Sequence, residues 1–263
     1  MRLTSRNASH VLVKCPWCRS ACGPAPRRHA NVTLYPELKE RVLSLDLFIR
    51  HCKACGRGFQ IDGPFVYHDM RQRLWVEVER AGAEMAPDAL AALESRWLMT
   101  PRPDCGYRIR VVDSAETLRE TVLILARGFS DLAVQTVKRA ALASLDPGAI
   151  PGARFQSARI NGARTLIMFS HPGRKGEPLA VEVDTGFFER FASVEKAYAA
   201  ARPRIYVDNL TIGELGARFL DAMEKGGHGH APRFAGGAGL FSRLNQAAKP
   251  VWVNGVQQSG AAA

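Results

Sequence analysis

The 263-residue sequence predicts an α+β fold, in which a small antiparallel sheet carries helices and is followed by a second α/β segment. Three observations predict this fold. Apolar residues alternate in short runs, as at Leu74, Val76 and Val78, which is typical of strands. Alanine-rich stretches with an apolar stripe predict helices packed by one face. Strand patterns then return over residues 154–191 and are followed by further helical patterns, which predicts the second segment.

Two short cysteine motifs organise the first third of the chain. Cys15 and Cys18 form one C-x2-C pair and Cys52 and Cys55 form the other, each after an apolar run. Four thiolates in two such pairs are the number that closes a tetrahedral structural zinc site. Gly56 follows the second pair and permits a tight turn that points amide groups at the last sulfur. The spacing therefore predicts a zinc ion held by these four cysteines.

Two other interpretations of the cysteines stay open. The sequence Cys-Pro-Trp-Cys at residues 15–18 is similar to the glutaredoxin motif, so Cys15 and Cys18 could serve a thiol–disulfide oxidoreductase. That chemistry needs the first sulfur at a helix N-terminus, and Pro24 and Pro26 oppose a helix there. Unreactive buried cysteines are the other interpretation. A disulfide framework is not expected, because the N-terminal residues lack the apolar core of a secretory signal.

Strands and one helix surround the two pairs. The helix is predicted at residues 35–43, where Pro36 suits the first turn and Leu38 and Val42 lie on one stripe. In the last predicted strand, Leu74, Val76 and Val78 are expected on one face, with Trp75 and Glu77 on the other. Strand patterns of this part lie at 10–14, 28–34, 47–51, 59–62, 65–68 and 73–78.

The remainder of the chain gives a second set of elements. Asp113 and Glu116 are placed to form a capping box for a helix that ends at Gly128, and Asn161-Gly162 is a hairpin signal. From residue 226 the composition becomes rich in Gly and Ala, which predicts a disordered tail. Helices are predicted at 81–99, 114–128, 131–145, 194–201 and 211–224, and strands at 107–112, 159–164, 165–169 and 180–183.

The charge of the chain points to an acidic partner. The formal net charge is +11, and it divides into +7 for residues 1–80, −1 for residues 81–150 and +5 for residues 151–263. Such an excess suits nucleic acid, an acidic protein face or a lipid surface. The same charges also fit the solvated surface of an arginine-rich protein, since the sequence shows no basic–aromatic alternation. No apolar run is long enough to span a bilayer.

Several motifs together resemble the CpXC domain family, and the resemblance covers roughly residues 10–140. It implies a zinc-ribbon-like fold and implies no reaction. One departure from the family pattern is that Arg19, and not glycine, follows the first pair, and Cys22 could then replace Cys18 as a ligand. The matching features, in chain order, are the two cysteine pairs, residues 31–39, 67–70 and 110–114, and then Leu118, Glu120, Asp131 and Lys138.

Other candidate residues carry weaker signals. Cys105 is expected to be a small buried hydrophobe, although it could approach the zinc site from its strand. His68 and Asp69 could form a catalytic pair, but in a hairpin turn Asp69 is expected to bind nearby backbone amides. His228 and His230 are too few to hold a metal firmly. The sequence contains no phosphate-binding glycine loop, no G-x-S-x-G elbow and no H-E-x-x-H motif.

These observations predict a cytoplasmic zinc-binding protein that acts by interaction, with nucleic acid or an acidic protein as its partner. A closed four-thiolate site has no open coordination position, which argues against metal-centred catalysis. The oxidoreductase remains the alternative. Three parts are predicted: a zinc-ribbon-like domain with helices at 1–150, an α/β segment at 151–225 and the disordered tail at 226–263.

Overall fold

The computed structural model confirms a mixed α+β fold and divides into two compact units, Met1–Arg119 and Glu120–Ala263. The predicted division at residues 150 and 225 stays a prediction. The predicted helix at 81–99 lies outside the described residues, which are 12–24, 28–61, 63–79, 105–145, 153–170, 178–202, 204–207, 209–225 and 248–252.

The first unit is built from small sheets and one short helix. Strands β1 and β2 form one antiparallel pair, and β4 and β5 form another. Strands β6 and β7 are antiparallel, whereas β3 pairs with β6 and β7 pairs with β8 in parallel, so the sheet is mixed. The elements are β1 (Leu12–Lys14), β2 (Ala21–Pro24), β3 (His29–Asn31), α1 (Glu37–Leu43), β4 (Ile49–His51), β5 (Gly58–Gln60), β6 (Phe65–Asp69), β7 (Leu74–Val78) and β8 (Arg108–Val112).

Strand β3 is shorter than predicted, and strand β7 is more deeply buried than its alternating pattern indicates. Strand β3 ends at Asn31, because the Asn31 Oδ1 accepts hydrogen bonds from the amides of Thr33 and Leu34 and turns the chain. Leu34, the last residue of the predicted strand 28–34, therefore lies outside β3 and is 63% exposed. All five residues of β7 are buried, so the face that carries Trp75 and Glu77 is covered as well as the face that carries Leu74, Val76 and Val78.

An aromatic layer explains the burial of the second face of β7. The rings of His29 and His68 lie 6.1 and 5.0 Å from the Trp75 ring, and the Trp75 Nε1 donates to the Glu77 carboxylate at 2.7 Å. The His68 Nε2 lies 3.1 Å from the Tyr107 hydroxyl. Because the buried indole N–H has a carboxylate acceptor, its burial does not leave an unpaired hydrogen-bond donor. The face that carries Trp75 and Glu77 is therefore buried although it includes a charged residue.

The second unit contains an antiparallel sheet with helices. Strand order is β13-β11-β10-β9, and β9 and β10 are joined through Gly162, whose φ of 59° suits the tight hairpin that the sequence predicts. Helix α2 crosses the boundary between the units. The elements are α2 (Ala115–Ala126), α3 (Asp131–Leu145), β9 (Arg154–Asn161), β10 (Arg164–Ser170), β11 (Leu179–Asp184), α4 (Gly186–Ala201), β12 (Arg204–Tyr206), α5 (Asn209–Lys225) and β13 (Ala248–Trp252).

The ends of three predicted elements change. Helix α2 is capped one residue later than expected, because the Ser114 Oγ accepts the hydrogen bond of the Thr117 amide at 3.2 Å. Helix α4 begins at Gly186, eight residues before the predicted start, and buries Phe187 and Phe191. Ala248–Trp252 of the predicted tail forms β13, while residues 226–247 and 253–263 lie outside the described residues. Within the described residues, no helix is long and apolar enough to cross a membrane.

A buried carboxylate ties the second unit together. Glu120, on α2, is 3% exposed; its carboxylate lies 2.8 Å from the Lys138 Nζ of α3 and accepts a 2.7 Å hydrogen bond from the Phe155 amide of β9. One side chain thus joins two helices and a strand. Loss of such a group costs more than loss of a surface pair, because its partners stay buried.

We expect Glu120→Ala to lower the free energy of unfolding by about 3–5 kcal/mol, measured by urea denaturation. Glu120→Gln keeps an acceptor for the Phe155 amide and should lose less. The control is Glu214→Ala, which removes the more exposed ion pairs to Arg202 and Arg218 together with the hydrogen bond from the Tyr198 hydroxyl, and it should cost less than Glu120→Ala. Equal losses for Glu120→Ala and Glu214→Ala would contradict this role.

The aromatic layer should make the first unit sensitive to acid. Burial lowers the pKa of His29 and of His68 from the ordinary 6.5, so the folded chain keeps both rings neutral where the unfolded chain takes up protons. The free energy of unfolding should then fall between about pH 7 and about pH 5. A variant with both His29→Asn and His68→Asn should lose part of this slope in urea titrations. An unchanged slope would show that other groups carry it.

Candidate metal centre

The two cysteine pairs, 34 to 40 residues apart in the chain, meet at one point. The Sγ atoms of Cys15, Cys18, Cys52 and Cys55 all lie within 4.8 Å of one another. Cys15 faces Cys55 at 3.7 Å and Cys18 faces Cys52 at 3.5 Å, so the short contacts run between the pairs. A tetrahedral ion with sulfur ligands at about 2.3 Å holds them about 3.8 Å apart. The four cysteines are positioned to hold a metal ion.

The same backbone turn presents each pair, and we call these two turns the knuckles. In the first, the Cys15 amide donates to the Ser20 carbonyl and the Arg19 amide donates to the Cys15 carbonyl. In the second, the Cys52 amide donates to the Arg57 carbonyl and the Gly56 amide donates to the Cys52 carbonyl. Strands β1 and β2 carry the first knuckle, and β4 and β5 carry the second. The repeat in sequence spacing is therefore a repeat in structure.

The residue after each second cysteine needs a left-handed backbone. Gly56 has a φ of 72° and Arg19, at the equivalent position, has a φ of 60°. A residue with a side chain pays about 1–2 kcal/mol in this conformation, and glycine does not. A side-chain Cβ at Gly56 would meet no atom within 4 Å, so only the backbone conformation favours glycine there. The first knuckle thus forms in spite of Arg19.

The thiols of Cys52 and Cys55 differ in pKa because their surroundings differ. Hydrogen bonds from the backbone amides of Cys55 and Ala54 lower the pKa of Cys52 to about 6. The Arg57 amide acts in the same direction on Cys55, but burial and the neighbouring thiols outweigh it and raise the pKa of Cys55 to about 12. One thiolate therefore suppresses ionisation of the next, as expected for like charges at short distance. A bound divalent cation would remove this conflict.

Cys22 lies beside the four-sulfur cluster without belonging to it. Its thiol donates to the Ser20 carbonyl at 3.5 Å, and burial together with Cys52 raises its pKa to about 11. The cluster found among the described residues contains Cys18, which is the ligand that the spacing predicts. Cys22 is a neutral neighbour in this arrangement.

The weaker candidates do not join the site. Cys105 is exposed, contrary to the expected burial, and is not part of the four-sulfur cluster. The Asp69 Oδ1 accepts hydrogen bonds from the amides of Arg71 and Gln72, which confirms its predicted turn role. His228 and His230 lie outside the described residues.

An exposed aromatic group on the knuckles was not predicted. Trp17, between the first two cysteines, is 49% exposed, and its ring centroid lies 5.9 Å from that of Phe59 in an edge-on arrangement. The Arg57 guanidinium lies over the Trp17 ring at 5.7 Å. These residues are about 40 positions apart in sequence, so no local pattern could bring them together. The cysteine contacts do so.

Comparison with known proteins supports the N-terminal assignment. The family described as CpXC protein matches residues 13–138, so this part of the chain is similar to that family. The match includes all four cysteines of the cluster. Neither the curated proteins nor the solved structures give a match.

The two equivalent backbone positions should respond in opposite directions to substitution. Gly56→Ala should lower the free energy of unfolding by about 1 kcal/mol, because alanine disfavours the left-handed backbone. Arg19→Gly should relieve the same strain, and the gain, offset by the greater freedom of unfolded glycine, should be about 0–1 kcal/mol. Thermal and urea unfolding of the metal-loaded protein measure both. A loss on Arg19→Gly would show that the arginine side chain stabilises the knuckle.

Proposed function

We propose that the CpXC segment of this chain is a structural zinc module through which the protein binds an acidic partner. Cys15, Cys18, Cys52 and Cys55 would be the ligands. The observation that carries the proposal is the position of their four sulfurs, all within 4.8 Å of one another. Exclusively thiolate ligands in tetrahedral spacing suit zinc or iron and not the hard ions Mg²⁺ and Ca²⁺. Zinc supplies no redox chemistry, and four protein ligands leave no position for a substrate.

The local fold supports a structural role for the metal. Each knuckle stands on a two-stranded pair, β1–β2 or β4–β5, whose strands are three or four residues long. An isolated two-stranded pair is marginally stable at best in water. A metal that bonds to both pairs would supply the free energy that their small apolar contacts do not. The reducing cytoplasm, where thiolates persist, is the compartment that this role requires.

Charge supports an acidic partner, nucleic acid or an acidic protein face. Over residues 12–24 and 47–61 the chain carries five Lys or Arg and no Asp or Glu, with Asp46 and Asp62 at the borders of the second range. A zinc ion with four thiolates adds about −2, which leaves the knuckles positive. Opposite charge raises the rate and the specificity of association.

A thiol–disulfide oxidoreductase is the second candidate, and the low pKa of the Cys52 thiol favours it. The predicted pair, Cys15 and Cys18, fits less well. Residues 16–18 form a turn that leads into β2, so the helix N-terminus that would activate the first sulfur is replaced by a strand. In the structure the short sulfur contacts join each of these cysteines to the other knuckle.

Elemental analysis of freshly purified full-length protein tests the structural zinc. We expect about one zinc per chain, together with a large fall in melting temperature when a chelator removes it. Cys18→Ser should lose most of the zinc, because it removes a ligand. Cys22→Ser is the matched control and should keep it.

Two results would change the assignment. Less than about half an equivalent of zinc in the wild type would contradict the structural role. Iron in place of zinc, or disulfide reductase activity that Cys15→Ser abolishes without unfolding the chain, would favour redox chemistry. Zinc that Cys18→Ser retains and Cys22→Ser loses would move the fourth ligand to Cys22.

A further inference from the structure

We propose that the knuckles bind single-stranded nucleic acid, with Trp17 as a stacking surface for a base and the basic residues around it as phosphate ligands. The proposal rests on the proposed function, since the metal is what would hold the two knuckles in register. The charge of the chain indicates only an acidic partner, and this proposal specifies the class of that partner.

The geometry of Trp17 suits base stacking. The indole lies in the turn of the first knuckle, between Cys15 and Cys18, and is 49% exposed, so part of the ring is accessible. Phe59 contacts it edge-on and Arg57 lies over the ring, so the second knuckle supports it. A supported ring loses little conformational entropy when a base stacks on it.

The charges around this ring favour a phosphate chain. Lys14 and Arg19 belong to the first knuckle and Lys53 and Arg57 to the second, and all four side chains are exposed. Each cysteine pair is therefore flanked by cations that can follow a phosphate backbone across both knuckles. Their combined charge exceeds the −2 of a zinc–thiolate centre. An exposed aromatic ring beside such cations is the combination that proteins use for single strands.

Stacking distinguishes a single strand from the other acidic partners. Bases of a duplex are stacked on one another and present only their edges, so an indole cannot cover a base face without unstacking it. An acidic protein face offers charge but no ring for Trp17. A single strand offers both a phosphate chain and free base faces. The structure thus favours the one partner that uses the ring and the cations together.

The direct test is a titration of fluorescein-labelled oligothymidylate with the zinc-loaded full-length protein, read by fluorescence anisotropy. We expect saturable binding that weakens with salt, tighter than binding to a duplex of the same length. Each cation that contacts a phosphate should add roughly 0.7 to the slope of log affinity against log salt. Polyglutamate serves as the acidic competitor without bases.

Variants separate the ring from the charge. Trp17→Ala should weaken binding roughly 5- to 150-fold, the loss of one base–aromatic stack, while Trp17→Phe keeps most of the affinity. Tyr35→Ala is the matched control, because Tyr35 is an aromatic residue 52% exposed in the same unit, away from the knuckles in sequence. Lys53→Ala should reduce the salt slope, whereas Arg71→Ala, at an exposed cation of the β6–β7 turn, should not.

The outcomes distinguish the two proposals. A chain that holds zinc but binds no oligothymidylate overturns this inference and leaves the structural zinc module standing. A chain without zinc overturns the proposed function. Zinc-loaded Trp17→Ala that binds as wild type, or polyglutamate that competes as well as the oligonucleotide, would show a partner recognised by charge alone, such as an acidic protein. Zinc content is measured for every variant, so a misfolded knuckle is not mistaken for a lost contact.

Discussion

The first third of this protein depends on sulfur contacts between two distant turns. Cys15 meets Cys55 and Cys18 meets Cys52, and these contacts join strand pairs that are each too small to be stable alone. The two turns have the same form, because each knuckle is closed by the same two backbone hydrogen bonds. The low pKa of Cys52 and the high pKa of Cys55 are consequences of crowding four thiols there. The four cysteines are positioned where a metal ion could balance their charge.

The rest of the first unit obeys a different constraint, which is that its central strand is buried on both faces. Strand β7 pairs with β6 on one side and β8 on the other, and the aromatic layer closes the face that carries Trp75 and Glu77. The hydrogen bond between those two side chains lets a polar pair occupy a dry position. In the second unit the buried carboxylate of Glu120 is likewise paired, because it binds the Lys138 ammonium group and the Phe155 amide. Glu120 thereby joins two helices and a strand, whereas Glu77 is bonded to Trp75 of its own strand.

Local patterns predicted more than tertiary ones. The cysteine cluster follows from spacing, and α3 matches its predicted bounds of 131–145 because its ends carry local signals. The parallel pairing of β3 with β6 and of β7 with β8 could not be predicted, since it depends on which distant strands meet in the folded chain. The helical spacing of Phe187, Phe191 and Tyr198 indicates that α4 begins before residue 194, and the prediction did not use this spacing. The contact of Trp17 with Arg57 had no local signal at all.

A metal ion held by all four cysteines would have no open coordination position, so a partner would meet the residues around the cluster. In each knuckle two residues lie between the cysteines, and the four sulfur atoms all lie within 4.8 Å of one another. Trp17 and Lys53 lie between the cysteines of a pair, Arg19 and Arg57 follow the pairs, and all four side chains are exposed. Arg19 has a left-handed backbone with a φ of 60°, and glycine at this position would relieve the backbone strain but would also remove a cation. A partner would therefore meet the surface of the module, where the Arg57 guanidinium of one knuckle lies over the Trp17 ring of the other.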